Sequence, residues 1–160
     1  MLIVLLRHGL AEEKDGSKPD RERRLTREGN REMKRVAAAL AKLLPDAGAI
    51  FSSPLIRAYE TAEWVAKAYD EKLTVETTAT LAPGGDFGEF RELLRRSQAG
   101  CAYFVGHEPD LSSLMLDLTS MHADAKVALK KGGCYGLEMK EKDRPARLRW
   151  MLAPELFGVR

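Results

Sequence analysis

Two histidines and two arginines stand directly after short apolar runs in this 160-residue chain. Arg7-His8-Gly9 follows the run from Leu2 to Leu6, and Gly106-His107-Glu108-Pro109 follows the run from Cys101 to Val105. Arg57 lies one turn into the helix expected after Ser52-Ser53-Pro54, which itself follows Ala49 to Ser52. A neutral imidazole is a competent nucleophile near neutral pH, because its ordinary pKa of about 6.5 leaves much of it unprotonated. Guanidinium groups bind and orient anionic oxygens through paired N–H donors. An arginine in the first turn of a helix is mildly unfavourable against the positive end of the helix dipole, so Arg57 needs an anion to offset it. Two imidazoles, two guanidiniums and a helix N-terminus brought together are the chemistry expected for a phosphoryl group.

The elements that must bring them together can be read from the same chain. Leu2 to Leu6 is continuously apolar and too short for a helix, as a central strand covered on both faces requires. Thr26 can cap a helix whose buried stripe is Met33, Val36, Ala37, Leu40, Ala41 and Leu44, ended by Pro45 and Gly48. A strand over 49–52 follows, then a helix with Ser53 as N-cap, Pro54 in its first turn and Ala58, Ala62, Val65, Ala66 and Tyr69 along one face. Leu73 to Thr77 reads as a strand, Phe87 to Arg96 as a helix, Cys101 to Val105 as a strand and Asp110 to about Thr119 as a helix. Two further strands are expected near Cys134 to Met139 and Leu148 to Leu152. This alternation predicts one domain over 1–160, a three-layer α/β/α sandwich around a mostly parallel sheet. In such sheets ligands bind beyond the carboxyl ends of the strands, where the two histidines and two arginines fall.

Composition sets bounds on function. The formal net charge is only +2, with charged residues at 31%, so no global field of the kind used by nucleic-acid binders exists. The densest basic stretch, Lys18 to Arg35, holds eight Lys or Arg against four acids and reads as a solvated face or the positive rim of an anion site. Cys101 and Cys134 are far apart and lack metal-ligand spacing, which predicts a reduced, metal-free interior. The apolar start is too short to span a membrane and is followed at once by Arg7, so a cytoplasmic protein with no membrane or nucleic-acid partner is expected.

Taken in order, Arg7-His8-Gly9, Ser53-Pro54-Leu55-Ile56-Arg57-Ala58 with Thr61, and Gly106-His107-Glu108-Pro109 resemble the three motifs of the histidine phosphatase superfamily, whose fold is phosphoglycerate mutase-like. The chain length, Leu25-Thr26 with Gly29, and Leu81-Ala82-Pro83-Gly84-Gly85-Asp86 are similar to its SixA-type phosphohistidine phosphatases. The resemblance implies that His8 is the covalent phosphoryl acceptor, with a backbone carbonyl fixing its tautomer. Arg7, Arg57 and a protonated His107 would stabilise the equatorial oxygens without a metal or other cofactor, and Gly9 and Arg23 would join the phosphate-binding set. Asp15, Asp20, Glu22, Asp86 and Glu108 show no magnesium-ligand spacing.

Larger members of that superfamily carry an acid where this chain reads Leu81-Ala82-Pro83, which leaves Asp86 and Glu108 as candidate general acids. An imidazole leaving group can be protonated on its distant nitrogen, whereas an alkoxide has no such route, so the missing acid favours phosphohistidine. The chain also has little length for a roof over the site, and the Glu12 to Arg24 loop would form part of an open rim. The expected partners are a phosphohistidine-bearing protein of a phosphorelay or phosphotransferase system, or a small phosphomonoester, with inorganic phosphate as product. A broad small-molecule phosphomonoesterase is the alternative, and a non-catalytic phosphoprotein-binding module is the reading from a different class. Ser53 reads as a cap rather than a nucleophile, His122 as a surface residue, Trp64 and Trp150 as core, and Glu60 as a surface ion-pair partner.

Overall fold

The computed structural model describes residues 1–122, 127–141 and 144–158. A six-stranded sheet forms its centre, built from β1 (Leu2–Arg7), β2 (Ala49–Ser52), β3 (Val75–Thr77), β4 (Cys101–Gly106), β5 (Cys134–Glu138) and β6 (Arg147–Leu152). Spatial order is β3-β2-β4-β1-β5-β6. The first four of these neighbours pair in parallel, while β5 and β6 add an antiparallel edge. Four helices cover the sheet: α1 (Arg27–Leu43), α2 (Ile56–Ala68), α3 (Phe87–Arg96) and α4 (Asp110–Thr119).

β1 is apolar without a break because each of its side chains is buried against a different layer. Val4 and Leu6 pack with Met33, Leu40, Ala62 and Val65 of α1 and α2. Ile3 and Leu5 pack on the opposite face with Phe90, Leu94, Leu111 and Met115 of α3 and α4. Alternation along β4 repeats the pattern, with Tyr103 and Val105 on the first face and Ala102 and Phe104 on the second. The result is the three-layer sandwich expected from the alternation of elements.

The topology itself creates the crevice. β1 feeds α1 on one face and the adjacent β4 feeds α4 on the other, so their outgoing loops part above the sheet, as at a topological switch point. Arg7 pairs with Gly106 and Ser52 with Val105, so the carboxyl ends of the three strands are level. That register puts the residues just beyond them at one height.

α1 begins as the sequence predicts, with Thr26 Oγ1 accepting the Gly29 N–H at 2.9 Å. Gly29 is required there because a Cβ would stand 2.0 Å from the Leu10 carbonyl oxygen, which is itself held by the Thr26 N–H. Two expectations are corrected. α2 starts at Ile56 rather than directly after Ser53, and Ser53 is not its cap. The Ser53 N–H still donates to the Val105 carbonyl at 2.9 Å, and a residue before proline is confined to extended backbone, so the chain cannot turn helical until it has passed Pro54. β3 is shorter than 73–77, because only Val75, Glu76 and Thr77 find partners on β2.

Both cysteines are free and buried. Burial pushes the Cys101 thiol to about 11 and the Cys134 thiol to about 12, where neither is a useful nucleophile. Among the described residues no helix is long and apolar enough to cross a membrane.

Candidate active site

His8 sits just past the end of β1 and is 7% exposed. Its Nδ1–H donates to the Gly9 carbonyl at 2.8 Å, which leaves the Nε2 lone pair free. Arg57 Nε–H approaches that lone pair at 3.3 Å. Burial pushes the imidazole down to about 4, and the charges of Arg57, Arg7 and Lys131 add to the effect against the hydrogen bond to Gly9. The ring is therefore neutral at neutral pH with its lone pair directed at a guanidinium.

α2 delivers Arg57 from its first turn, with the side chain 4% exposed. Its remaining donors meet a single residue. Nη1 donates to the Asp20 carbonyl at 2.8 Å and Nη2 to Asp20 Oδ2 at 3.0 Å. The other carboxylate oxygen, Oδ1, accepts from Arg23 Nε at 3.0 Å and Arg23 Nη2 at 2.8 Å. Asp20 thus bridges two arginines, and both of its partners were expected to hold phosphate. Burial alone would raise the Asp20 carboxyl, but hydrogen bonding from Arg23 and the charge of Arg57 outweigh it and hold the group below the usual carboxylate range.

His107 follows β4, with its ring centroid 5.1 Å from that of His8. Nε2 meets Ser53 Oγ at 2.9 Å, and that hydroxyl oxygen also accepts the Leu55 N–H at 3.2 Å. Burial pushes His107 down to about 3, and the neighbouring His8, Arg57 and Arg7 lower it further, opposed only by Asp20. The expectation of a protonated His107 is therefore corrected for the site's own residues, because desolvation and three cationic or dipolar neighbours disfavour the charge. A bound anion would reverse that balance. His107 Nδ1 and Arg7 Nε are the two buried side-chain polar atoms with no hydrogen-bond partner among the described residues. Buried polar atoms are rarely left unpaired, so both orphans falling in this cluster marks it as a place for a polar ligand.

Arg7 is oriented by a segment distant in sequence. Its Nη1 donates to the Leu129 carbonyl, its N–H donates to the Gly133 carbonyl at 2.9 Å, and the Gly132 N–H donates to the His8 carbonyl at 3.1 Å. Gly132 makes this turn with φ of 76°, a conformation that glycine adopts without a Cβ clash. Glu108 anchors the same segment, since its Oε1 accepts the Leu129 N–H and the Ser112 hydroxyl, both at 2.8 Å. Glu108→Ala is expected to cost about 1–3 kcal/mol in chemical denaturation by orphaning these donors. Glu108→Gln, which keeps an acceptor oxygen, should retain most of that stability and most of the turnover. An equal stability loss in both variants would contradict the anchoring role.

Other expected residues fall outside the cluster or are committed elsewhere. Asp86 is exposed and caps α3, with Oδ1 accepting the Glu89 N–H at 2.8 Å. Gly9 offers its N–H to Thr61 Oγ1 at 3.1 Å, and Thr61 in turn donates to the Arg57 carbonyl at 2.7 Å, so this pair ties β1 to α2. Glu60 pairs with Arg24 and also accepts the Leu25 N–H at 2.8 Å, pinning the rim loop to α2. His122 is exposed, and Trp64 and Trp150 are half-buried. The sequence marks Asp20 only among the acids without magnesium-ligand spacing and Thr61 only as part of the second motif, and it does not mark Leu129 or Lys131. Only the spacing of Asp20 and Arg23, three apart in a short turn, offered any local signal.

Comparison with known proteins bears on the family and the fold. The chain is 32% identical over 160 residues to an uncharacterized protein of Picosynechococcus sp., covering 98% of this chain and 94% of that one. The fold is similar to that of the protein histidine phosphatase SixA complexed with tungstate, at a TM-score of 0.85 and 21% identity, covering 98% of this chain and 99% of that one. It is also similar to a mycobacterial glucosyl-3-phosphoglycerate phosphatase, at a TM-score of 0.77 and 18% identity, covering 95% and 99% of the respective chains. Residues 3–99, which hold the first two motifs, match the model of the histidine phosphatase superfamily, and the chain belongs to branch 1 of that superfamily.

Proposed function

We propose that this protein is a phosphatase that removes phosphoryl groups from phosphohistidine in proteins through a covalent intermediate on His8. The observation that carries the reading is the His8 ring, held by Gly9 with Nε2 unprotonated and facing the Arg57 guanidinium. In the first step the Nε2 lone pair attacks phosphorus, the bond to the departing imidazole nitrogen breaks, and that imidazole leaves with the electron pair. In the second step water attacks the phosphorus of phospho-His8, the P–N bond breaks and the pair returns to Nε2. Inorganic phosphate leaves and the water's proton passes to solvent or product.

Arg7, Arg57 and His107 serve the equatorial oxygens, where such reactions ask mainly for positioning and for charge. His107 gains its proton as the phosphoryl dianion arrives. No metal enters this scheme.

Substrate class follows from the carboxylates. Asp20 is ionised between two arginines, Glu108 is engaged by Leu129 and Ser112, and Asp86 caps a helix. Each of these carboxylates is already engaged as a hydrogen-bond acceptor by other groups of the chain. A leaving group that carries its own proton, such as an imidazole protonated on its far nitrogen, suits the site, and an alkoxide does not. A protein substrate in the cytoplasm would approach past the 12–24 rim, where Asp20 contacts the buried Arg57.

The test compares rates on a phosphohistidine-bearing histidine phosphotransfer domain and on an alkyl ester, O-phosphoserine, both in chelator. Rapid dephosphorylation of the protein with slow ester turnover is the expected result. Fast ester hydrolysis with phosphohistidine untouched would establish a small-molecule phosphomonoesterase instead, and loss of both activities in chelator would overturn the metal-free scheme.

A further inference from the structure

Arg57 directs an edge made of Nε and Nη2 at two acceptors side by side, His8 Nε2 at 3.3 Å and Asp20 Oδ2 at 3.0 Å. A phosphoryl group bonded to His8 Nε2 would present its oxygens to this same edge, because a guanidinium fork binds adjacent oxygens bidentately. The position next to the nucleophile is already filled by a carboxylate. That carboxylate also spans to Arg23, so one anion bridges two of the arginines expected to hold phosphate. Asp20 lies in a three-residue 3-10 turn, Asp20–Glu22, in the loop that precedes α1, and its side chain is 33% exposed. It is therefore placed to withdraw.

From this placement we infer that Asp20 is a built-in stand-in for the phosphoryl group, occupying the anion position beside His8 and competing with substrate and product for Arg57 and Arg23. The inference rests on the reading of His8 as the phosphoryl acceptor. It accounts for one observed feature and predicts a second. A buried arginine at a helix N-terminus keeps an anionic partner when no ligand is bound, which avoids the penalty of an unpaired buried charge. Exchange of one anion for another also makes phosphate binding shallower than the two arginines alone would give, which favours release of inorganic phosphate after the hydrolytic step.

Asp20→Asn removes the charge and keeps the shape. The variant is expected to bind inorganic phosphate roughly tenfold more tightly by calorimetry, the scale of one carboxylate removed from the neighbourhood of an anion near a protein surface. It should also melt below wild type in phosphate-free buffer and draw level with it in saturating phosphate, because the ligand then supplies the missing partner. A carboxylate with a purely structural role would lower the melting point equally in both buffers.

Wild-type protein provides a second readout should the variant fold poorly. The 13C resonance of the Asp20 carboxyl should titrate at higher pH in saturating phosphate than without it. The cations facing Asp20 are Arg23 and Arg57, with His107 near enough to sense its charge, and displacement from the two arginines by a dianion raises its affinity for a proton. Unchanged or weaker phosphate binding by Asp20→Asn, or an unmoved wild-type titration, would overturn the inference while leaving the His8 reading intact. Failure of wild type to bind phosphate at all would instead overturn the reading on which it rests.

Discussion

His8→Ala is expected to lower kcat/KM on a phosphohistidine substrate by about 10⁴-fold or more, since it removes the atom that bonds to phosphorus. Its fold should survive, because the ring is replaced at a strand end whose backbone is held by Gly106 and Gly132. Denaturing wild-type protein in alkali during turnover of a radiolabelled substrate should leave label on the chain, since a phosphoramidate survives alkali and is lost in acid. The label should be absent from His8→Ala. Full turnover by the variant, or label retained elsewhere, would transfer the nucleophile role to another residue.

The pH profile gives an independent check on the same residue. With His8 pushed down to about 4, the nucleophile is unprotonated throughout the neutral range. The acid limb of kcat/KM reports the free enzyme, so it should fall near pH 4 rather than near 6.5 for a substrate whose phosphoryl group does not titrate there. An acid limb at 6.5 in that experiment would mean that His8 is solvated and unperturbed.

Arg57→Ala is the second large effect, with an expected loss of about 10²–10³-fold in kcat, the scale for removing one preorganised donor from a developing charge. Arg57 is the hub of the cluster, touching His8 through Nε and Asp20 through both Nη atoms. Lysine is a point charge without the planar fork and cannot serve these directions together, so Arg57→Lys should recover only a small part of the rate. Because the Arg57 charge helps to depress His8, either loss of charge or its displacement should move the acid limb upward. Arg57→Ala should therefore shift the limb from about 4 toward 6.5, whereas Arg57→Lys should shift it less. A variant with normal kcat and only a raised KM would reduce Arg57 to a ground-state binder of the phosphoryl group.

The order of strands and helices was legible because each element carries its own local pattern. β1 and β4 are continuously apolar as doubly covered strands must be, and the stripes of α1 and α2 repeat at helical spacing. Since ligands collect beyond the carboxyl ends of such strands, His8, Arg57 and His107 could be assigned to one crevice from chain order alone. Local steric rules then set the limits of that reading. Ser53 looked like a helix cap by residue type, yet its backbone remains in the sheet and its hydroxyl serves His107.

What required tertiary structure was the partner of each functional group, because hydrogen bonds across loops leave no periodic trace in a sequence. Asp20 reaches Arg57 from 37 residues away, and the Leu129 carbonyl reaches Arg7 from 122 away. Beyond its three-residue spacing from Arg23, nothing in the local pattern distinguishes Asp20 from the solvated acids around it until two arginines are seen on its carboxylate. The protonation states depended on the fold for the same reason. The resemblance implied a charged His107, but desolvation and converging cations act through space, and they hold both imidazoles toward the neutral form.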